Sequence, residues 1–237
     1  MVSICIATYN GEKFILEQLN SILDQIDEKD EIIISDDASK DGTKEIVQQI
    51  GDRRIKFFSN QIRLGYTRNF EKALQKAKGD IIFMCDQDDI WLQEKYLTII
   101  SDLNRYDFVV HDAIVVDENR NVLFPSYFNS RGIYTTLLGN VFKFGFLGCC
   151  MAMKKPILES ALPFPKNEKL ATFDNWLFLI GITKFKLKIQ TKTLIEYRRH
   201  DKNISTGGFV SNKSLKFKLQ YRLYIVLNLV RRIFLNK

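Results

Sequence analysis

Apolar residues in the first hundred positions follow two alternating periods. Residues 2–7 form a short apolar run suited to a buried strand. Ile15, Leu19, Ile22, Leu23 and Ile26 then recur at the offsets of one helical face. Residues 31–35 (EIIIS) predict a second strand, Thr43–Ile50 a short helix with Ile46, Val47 and Ile50 inward, and Ile55–Ser59 a third strand. Residues 68–78 predict a helix with Phe70, Ala73, Leu74 and Ala77 apolar and Gly79 as its C-terminal stop. Residues 80–85 (DIIFMC) predict a fourth strand, followed by a helix over about 92–103. Strands apolar on both faces, alternating with helices, imply an α/β fold: a mainly parallel sheet with helices on both faces.

The pattern changes beyond residue 105. Phe108–Val116 predicts a strand, 117–145 reads as irregular, 146–153 is apolar and small, 173–182 helical, and 187–196 strand-like. No internal repeat and no Pro/Ser-rich linker interrupts this stretch. Residues 1–206 are therefore expected to form one domain, with halves at about 1–105 and 106–206. The glycine-containing segment 205–212 (STGGFVSN) is the expected joint to a tail at 207–237.

Charge sharpens this division. The chain carries 35 lysines and arginines against 28 acids. Residues 213–237 hold seven of the cations and no acid, so the net charge of +7 belongs to the tail and the body is neutral. A nucleic-acid-binding body would need its own basic face, so nucleic acid is not an expected partner. Cys5, Cys85, Cys149 and Cys150 form no C-x-x-C pair and read as buried thiols of a reducing compartment. No uncharged apolar run reaches the length of about 18 residues needed to span a bilayer, and the expected location is the cytoplasm.

In a parallel α/β sheet, ligands bind outside the carboxyl ends of the strands. Three polar clusters fall at such ends: Thr8-Tyr9-Asn10-Gly11, Asp36-Asp37-Ala38-Ser39 and Asp86-Gln87-Asp88-Asp89. The third is the most informative. Carboxylates packed so closely raise one another's pKa unless a cation is present, and Mg²⁺ typically takes one or two carboxylates plus substrate phosphates. A turn with an N-cap is the simpler reading, but it would use only one of these aspartates.

VSICIATYNGE, IIISDDASKDGT and NQIRLGYTRNFEKALQKAKGDIIFMCDQDDIW, in this order and spacing, resemble the nucleotide-binding half of family 2 glycosyltransferases with the GT-A fold. Asp112 in VVHDAIVVDEN, Gly148 in FGFLGCCMAM, ALPFP, FDNWLFLIG and YRRHDKNIS resemble the rhamnosyltransferase-like branch that builds bacterial cell-surface polysaccharides. The resemblance implies that Thr8, Tyr9 and Asn10 border the nucleotide base, Asp37 accepts from the base imide, and Arg68 approaches base or diphosphate. It also implies that Asp86 holds the ribose and Asp88 ligates Mg²⁺ or Mn²⁺, with His200 a further metal or phosphate contact. Asp89, Trp91, Gly148 and Asn175 would lie near the donor sugar or acceptor, and Asp174 would be the catalytic base of an inverting transfer. Alone, Asp174 also reads as the N-cap of a helix over 175–182.

The implied donor is a UDP- or dTDP-sugar, and the acceptor a hydroxyl of a surface glycan or of a lipid-linked glycan. The Gln-x-x-Arg-Trp motif of processive members is absent. From Leu215 onward a helix would gather Leu215, Leu219, Leu223, Val226, Leu227, Val230, Ile233 and Phe234 on one side, with Lys218, Arg222 and Arg232 on the other. Such a basic amphipathic helix suits an anionic membrane surface, which places the protein at the inner face of the cell membrane. Docking on the body or on a second copy, as in a homodimer, is the alternative for the tail. Two other functions fit parts of the chain: a sugar-nucleotide nucleotidyltransferase and an inactive binding module.

Overall fold

The computed structural model describes residues 1–201 and 214–235. The expected joint at 205–212 lies outside the described residues. In chain order the elements are β1 (Val2–Thr8), α1 (Ile15–Leu23), β2 (Glu31–Asp36), α2 (Thr43–Ile50), β3 (Ile55–Ser59), α3 (Tyr66–Lys76), β4 (Ile81–Cys85), β5 (Ile90–Trp91) and α4 (Lys95–Leu103). Then come β6 (Phe108–Val116), β7 (Val122–Phe124), α5 (Tyr127–Arg131), α6 (Leu137–Phe142), a 3₁₀ turn (Gly148–Cys150), β8 (Met151–Lys154), α7 (Lys155–Ala161), α8 (Phe173–Lys184), β9 (Leu187–Arg198) and α9 (Leu215–Val230).

Among the described residues the strands form one sheet in the order β3-β2-β1-β4-β8-β6-β9-β5, with β7 on β6. The first four of that order are parallel, with Ile4 opposite Ile32 on one side and Phe83 on the other. β8 runs antiparallel to both β4 and β6, so β6 and its parallel neighbour β9 regain the direction of β1. The carboxyl ends of β1, β2, β4, β6 and β9 therefore share one edge. β2 is buried along its whole length and β1 along nearly all of its own; since successive side chains point to opposite faces, both faces must be covered. α3 packs on β1 and β2, and α4 on β6, β8 and β9.

Several expectations change in detail. α3 ends at Lys76 with Ala77 extended, so Gly79 is not the helix stop. Its constraint is close approach: a Cβ there would lie 2.6 Å from the Ser3 backbone nitrogen. The helix expected from 92 begins at Lys95, because Ile90–Trp91 pairs with β9 as a short strand. The stretch 117–145 contains β7, α5 and α6. The four cysteines are free and buried, as their apolar settings imply.

The tail helix is present, and its orientation is unusual. Ile225 and Leu229 are buried, and Arg222 and Arg232 turn toward the body to donate to the carbonyls of Phe142, Leu162 and Pro163. The apolar row Leu215, Leu219, Leu223, Val226, Leu227 and Val230 faces outward. No helix among the described residues is long and apolar enough to cross a membrane.

Candidate active site

The first two clusters are tied together by their own side chains. The Thr8 hydroxyl donates to Asp36 Oδ1 (3.0 Å), Ser39 donates its backbone N–H to Asp36 Oδ2 (3.0 Å), and the Asn10 N–H donates to Ser39 Oγ (2.8 Å). Asn10 adopts a positive φ of 49° and accepts the Lys40 N–H, fixing the turn. Asp37 is buried and accepts the backbone N–H groups of Leu64 (2.6 Å) and Gly65 (2.8 Å), so it anchors the loop leading into α3. That loop sends Arg63 over the Tyr9 ring, 3.9 Å from its centroid.

Gln87 joins the third cluster to the first: its Oε1 accepts the Tyr9 N–H (2.8 Å) and its Nε2 donates to the Tyr9 carbonyl (3.2 Å). Beside it the aspartates converge. Ligand atoms of Asp86, Asp89 and Cys149 lie within 4.8 Å of one another. His200 Nε2 is 2.8 Å from Asp88 Oδ2, and both side chains are largely buried. Asp89 accepts the Arg198 backbone N–H (3.1 Å), while its Oδ2 is buried with no hydrogen-bond partner. Burial, with the Asp88 and Asp174 charges next, pushes Asp86 up to about 7. Burial and the Asp88 and Asp86 charges push Asp89 well above the usual carboxylate range. This is the signature of a site short of positive charge. Carboxylate oxygens with an imidazole nitrogen suit a divalent cation, and the orphaned Asp89 oxygen is an acceptor without a partner.

Lys95 is a cation packed beside the cluster. Its side chain is buried, its ammonium donates to the Cys149 carbonyl (3.3 Å) and lies 4.5 Å from the Trp91 ring centroid. Its charge reaches Asp86, whose ionised form it favours. The far end of β9 is fixed to α1. His200 stacks on Phe14 at 4.9 Å, and Arg198, also over that ring, pairs with Glu17 at 2.7 Å.

Asp174 lies across the 3₁₀ turn from this cluster. A Cβ on Gly148 would come 3.3 Å from the Asp174 Cβ and 2.5 Å from the Phe173 ring. The next residue, Cys149, touches the Asp86–Asp89 side. Asp174 is close enough for its charge to raise Asp86, Tyr66 and Tyr221. Burial raises its own pKa, opposed by hydrogen bonds from Thr172 and the Asn175 N–H. Thr172 occupies the N-cap and Asp174 sits inside the first turn of α8, so the capping reading of Asp174 does not hold. Asn175 is buried, donates to the Tyr221 hydroxyl, and leaves its amide oxygen without a partner.

Two expected residues stand elsewhere. Arg68 donates to Glu71, to Glu168 (2.9 Å) and to the carbonyls of Pro165 (2.8 Å) and Lys166 (3.1 Å), so its guanidinium holds the 164–168 loop. Glu71, one turn on, explains this: its other oxygen accepts the Phe164 N–H. Trp91 is a core side chain, with its indole N–H on Cys85 Sγ (3.1 Å) and its ring tilted against Phe83. A separate cleft of about 460 Å³ is lined by Glu94, Asp112, Ser126, Asn129 and Thr193, none of them from the three clusters. Asp112 is consumed there by Ser126 and the Phe128 N–H.

Gln87, Lys95, Arg63 and Cys149 were not among the sequence candidates. Lys95 left a readable signal: it stands four residues before Ile99 and eight before Leu103, in the apolar row of α4.

Known proteins share this architecture. The chain is 31% identical over 94% of its length to dTDP-rhamnosyl transferase RfbG of Shigella flexneri, covering 79% of that protein. It is 27% identical over 88% of its length to the Escherichia coli UDP-Glc:alpha-D-GlcNAc-diphosphoundecaprenol beta-1,3-glucosyltransferase WfgD, covering 81% of it. Among solved structures, S. aureus TarS 1-349 in complex with UDP-GlcNAc superposes with a TM-score of 0.74 at 18% identity, over 96% of this chain and 66% of that one. The mannosyltransferase PcManGT from Pyrobaculum calidifontis, in complex with GDP-Man and Mn2+, gives 0.61 at 21% identity, over 81% of this chain and 56% of that one. Residues 3–162 match the profile of Glycosyl transferase family 2, most of the chain and every strand of the parallel half. The chain therefore belongs to that family and is a glycosyltransferase of GT-A fold.

Proposed function

We propose that this glycosyltransferase moves a sugar from a nucleotide diphosphate to a hydroxyl of a bacterial surface glycan, with inversion and with Mg²⁺ or Mn²⁺. The observation that carries the reading is the placement of Asp174 and the aspartate cluster on the two sides of the Gly148–Cys150 turn. Asp88 and His200 would hold the cation, with Asp89 beside them and Asp86 toward the ribose. When bound, the cation neutralises charge on the departing diphosphate. Thr8, Tyr9, Asn10 and Asp37 frame the base, with Arg63 stacked on Tyr9 as an added contact and Arg68 holding the wall behind.

Asp174 takes the acceptor proton as the hydroxyl attacks the anomeric carbon. Its pKa, raised by burial, makes it a stronger base than an ordinary aspartate once its proton is lost. A retaining double displacement would need a second carboxylate as nucleophile; the direct contacts of Asp174 are Thr172, the Asn175 N–H and the turn at Gly148. The relatives that use diphosphoundecaprenol-linked or dTDP-rhamnosyl substrates support a lipid-linked acceptor and a UDP- or dTDP-sugar, and hence work at the inner membrane face. Residues 1–206 would form the catalytic domain and 207–237 its appendage.

A panel of UDP-, dTDP- and GDP-sugars, scored for thermal stabilisation with and without Mn²⁺, tests the reading. A donor at 100 times its Kd should stabilise the protein by about 2.7 kcal/mol. Metal-dependent stabilisation by one donor, with turnover on a polyprenyl-diphosphate glycan, is the expected result. No response to any donor would favour a binding module.

A further inference from the structure

We propose that α9 seats the protein on an anionic lipid bilayer through its outward apolar ridge, extended by α6. Ordinarily a surface helix buries its apolar side and shows its charges. α9 buries only two apolar side chains and leaves a longer apolar row outside. Its inner side carries Ile225 and Leu229, Arg222 and Arg232 on body carbonyls, and Tyr224, whose hydroxyl accepts the Asn167 N–H at 2.9 Å. Its outer side exposes Leu215 (71%), Leu219 (58%) and Leu223 (63%), followed by Val226, Leu227 and Val230. At 1.5 Å per residue this ridge is about 24 Å long. α6 packs against α9 and adds Leu138 and Phe142, both exposed. A contiguous apolar patch of this kind marks an interaction surface.

Charge selects the occupant. Lys216 and Arg231 remain exposed beside the ridge, and residues 213–237 contain seven cations and no acid. A second copy docked ridge to ridge would bring two acid-free cationic segments together. Anionic headgroups supply the missing sign, and acyl chains accept the leucines. No helix among the described residues spans a bilayer, so α9 lies in the interface plane. The opposite side of α9 carries Tyr221, bonded to Asn175 beside Asp174, so a bilayer under the ridge is one helix diameter from the acceptor side of the site.

The proposal stands on this surface alone and needs no assumption about the sugar chemistry. The full chain is floated with vesicles of phosphatidylcholine, with and without phosphatidylglycerol, in the absence of donor. The wild type should bind the phosphatidylglycerol vesicles selectively. Leu219→Glu with Leu223→Glu should weaken that binding by about 100-fold or more, since two leucines lose their apolar insertion. Lys216→Gln with Arg231→Gln should weaken it by roughly 30-fold, at about 1 kcal/mol per cation. All four positions are exposed, so thermal midpoints and donor binding should not move; donor binding kept while vesicle binding falls separates this proposal from the glycosyl-transfer reading. Three results would each overturn it: unchanged binding in the leucine variant, equal binding to neutral vesicles, or a solution dimer that the leucine variant splits.

Discussion

Asp86→Asn isolates the electrostatic load of the aspartate cluster. Burial and the neighbouring carboxylates carry this side chain from 3.8 up to about 7. At 1.36 kcal/mol per tenfold change in acidity, ionising it costs the folded protein about 4 kcal/mol. The folded protein keeps the proton over a range in which the unfolded chain has already lost it. Stability therefore falls as pH climbs from about 4, and nearly all of the penalty stands at pH 7. Asp88, Asp89 and Asp174 share the load, so removing one charge should recover only about 2 kcal/mol. Urea unfolding in EDTA at pH 5 and pH 8 measures it: part of the penalty already stands at pH 5, so the wild type should lose about 1 kcal/mol more than Asp86→Asn between the two. Saturating Mn²⁺ should restore the wild type at pH 8, because a cation then fills the role of the proton. Identical losses in the two proteins would show that Asp86 ionises freely, and the argument that the cluster lacks positive charge would fail.

Asp174→Asn should lower kcat by about 10²–10⁴ while leaving Mn²⁺-dependent donor binding intact, read by single-turnover transfer and thermal shift. In the wild type, kcat/KM should rise with pH as Asp174 loses its proton, above the range of an ordinary aspartate, and in the variant this limb should flatten. His200→Ala should weaken Mn²⁺ binding by at least about tenfold in a calorimetric titration, since Asp88 loses the imidazole 2.8 Å away. Gly148→Ala should cost about 1–3 kcal/mol in urea unfolding and depress kcat, because its methyl would lie 2.5 Å from the Phe173 ring beside Asp174.

The parallel half was legible because each of its strands is an uninterrupted apolar run and each helix repeats its apolar positions cleanly. β1, β2, β3 and β4 fall within a residue or so of expectation for that reason. What escaped was decided across long distances. Two residues, Ile90 and Trp91, become a strand only because β9 arrives to pair with them. Gly79 looks like a helix stop until Ser3 is seen against it. The aspartate clusters were visible as composition, yet which atoms converge was not. Cys149 joins Asp86 and Asp89 through a turn sixty residues away in sequence, and nothing local marks it. Arg68 and Trp91 carried residue types suited to a ligand, but Glu71 with the 164–168 loop claims the first and the core claims the second. The tail's two sides were readable from periodicity, whereas which side meets the body depended on carbonyls at 142, 162 and 163.

The reversed strand β8 has a consequence for biosynthesis. By restoring the common direction in β6 and β9, it lets the last strand deliver His200 to Asp88 across 112 residues of chain. During translation the aspartates emerge early and wait, without their imidazole, until almost the whole sheet has been laid down. A message cut short anywhere between them yields a protein whose early strands can pair but whose Asp88 lacks its imidazole neighbour. On the proposed reading, such fragments would lack one of the two side chains that hold the cation, and only finished copies could transfer sugar.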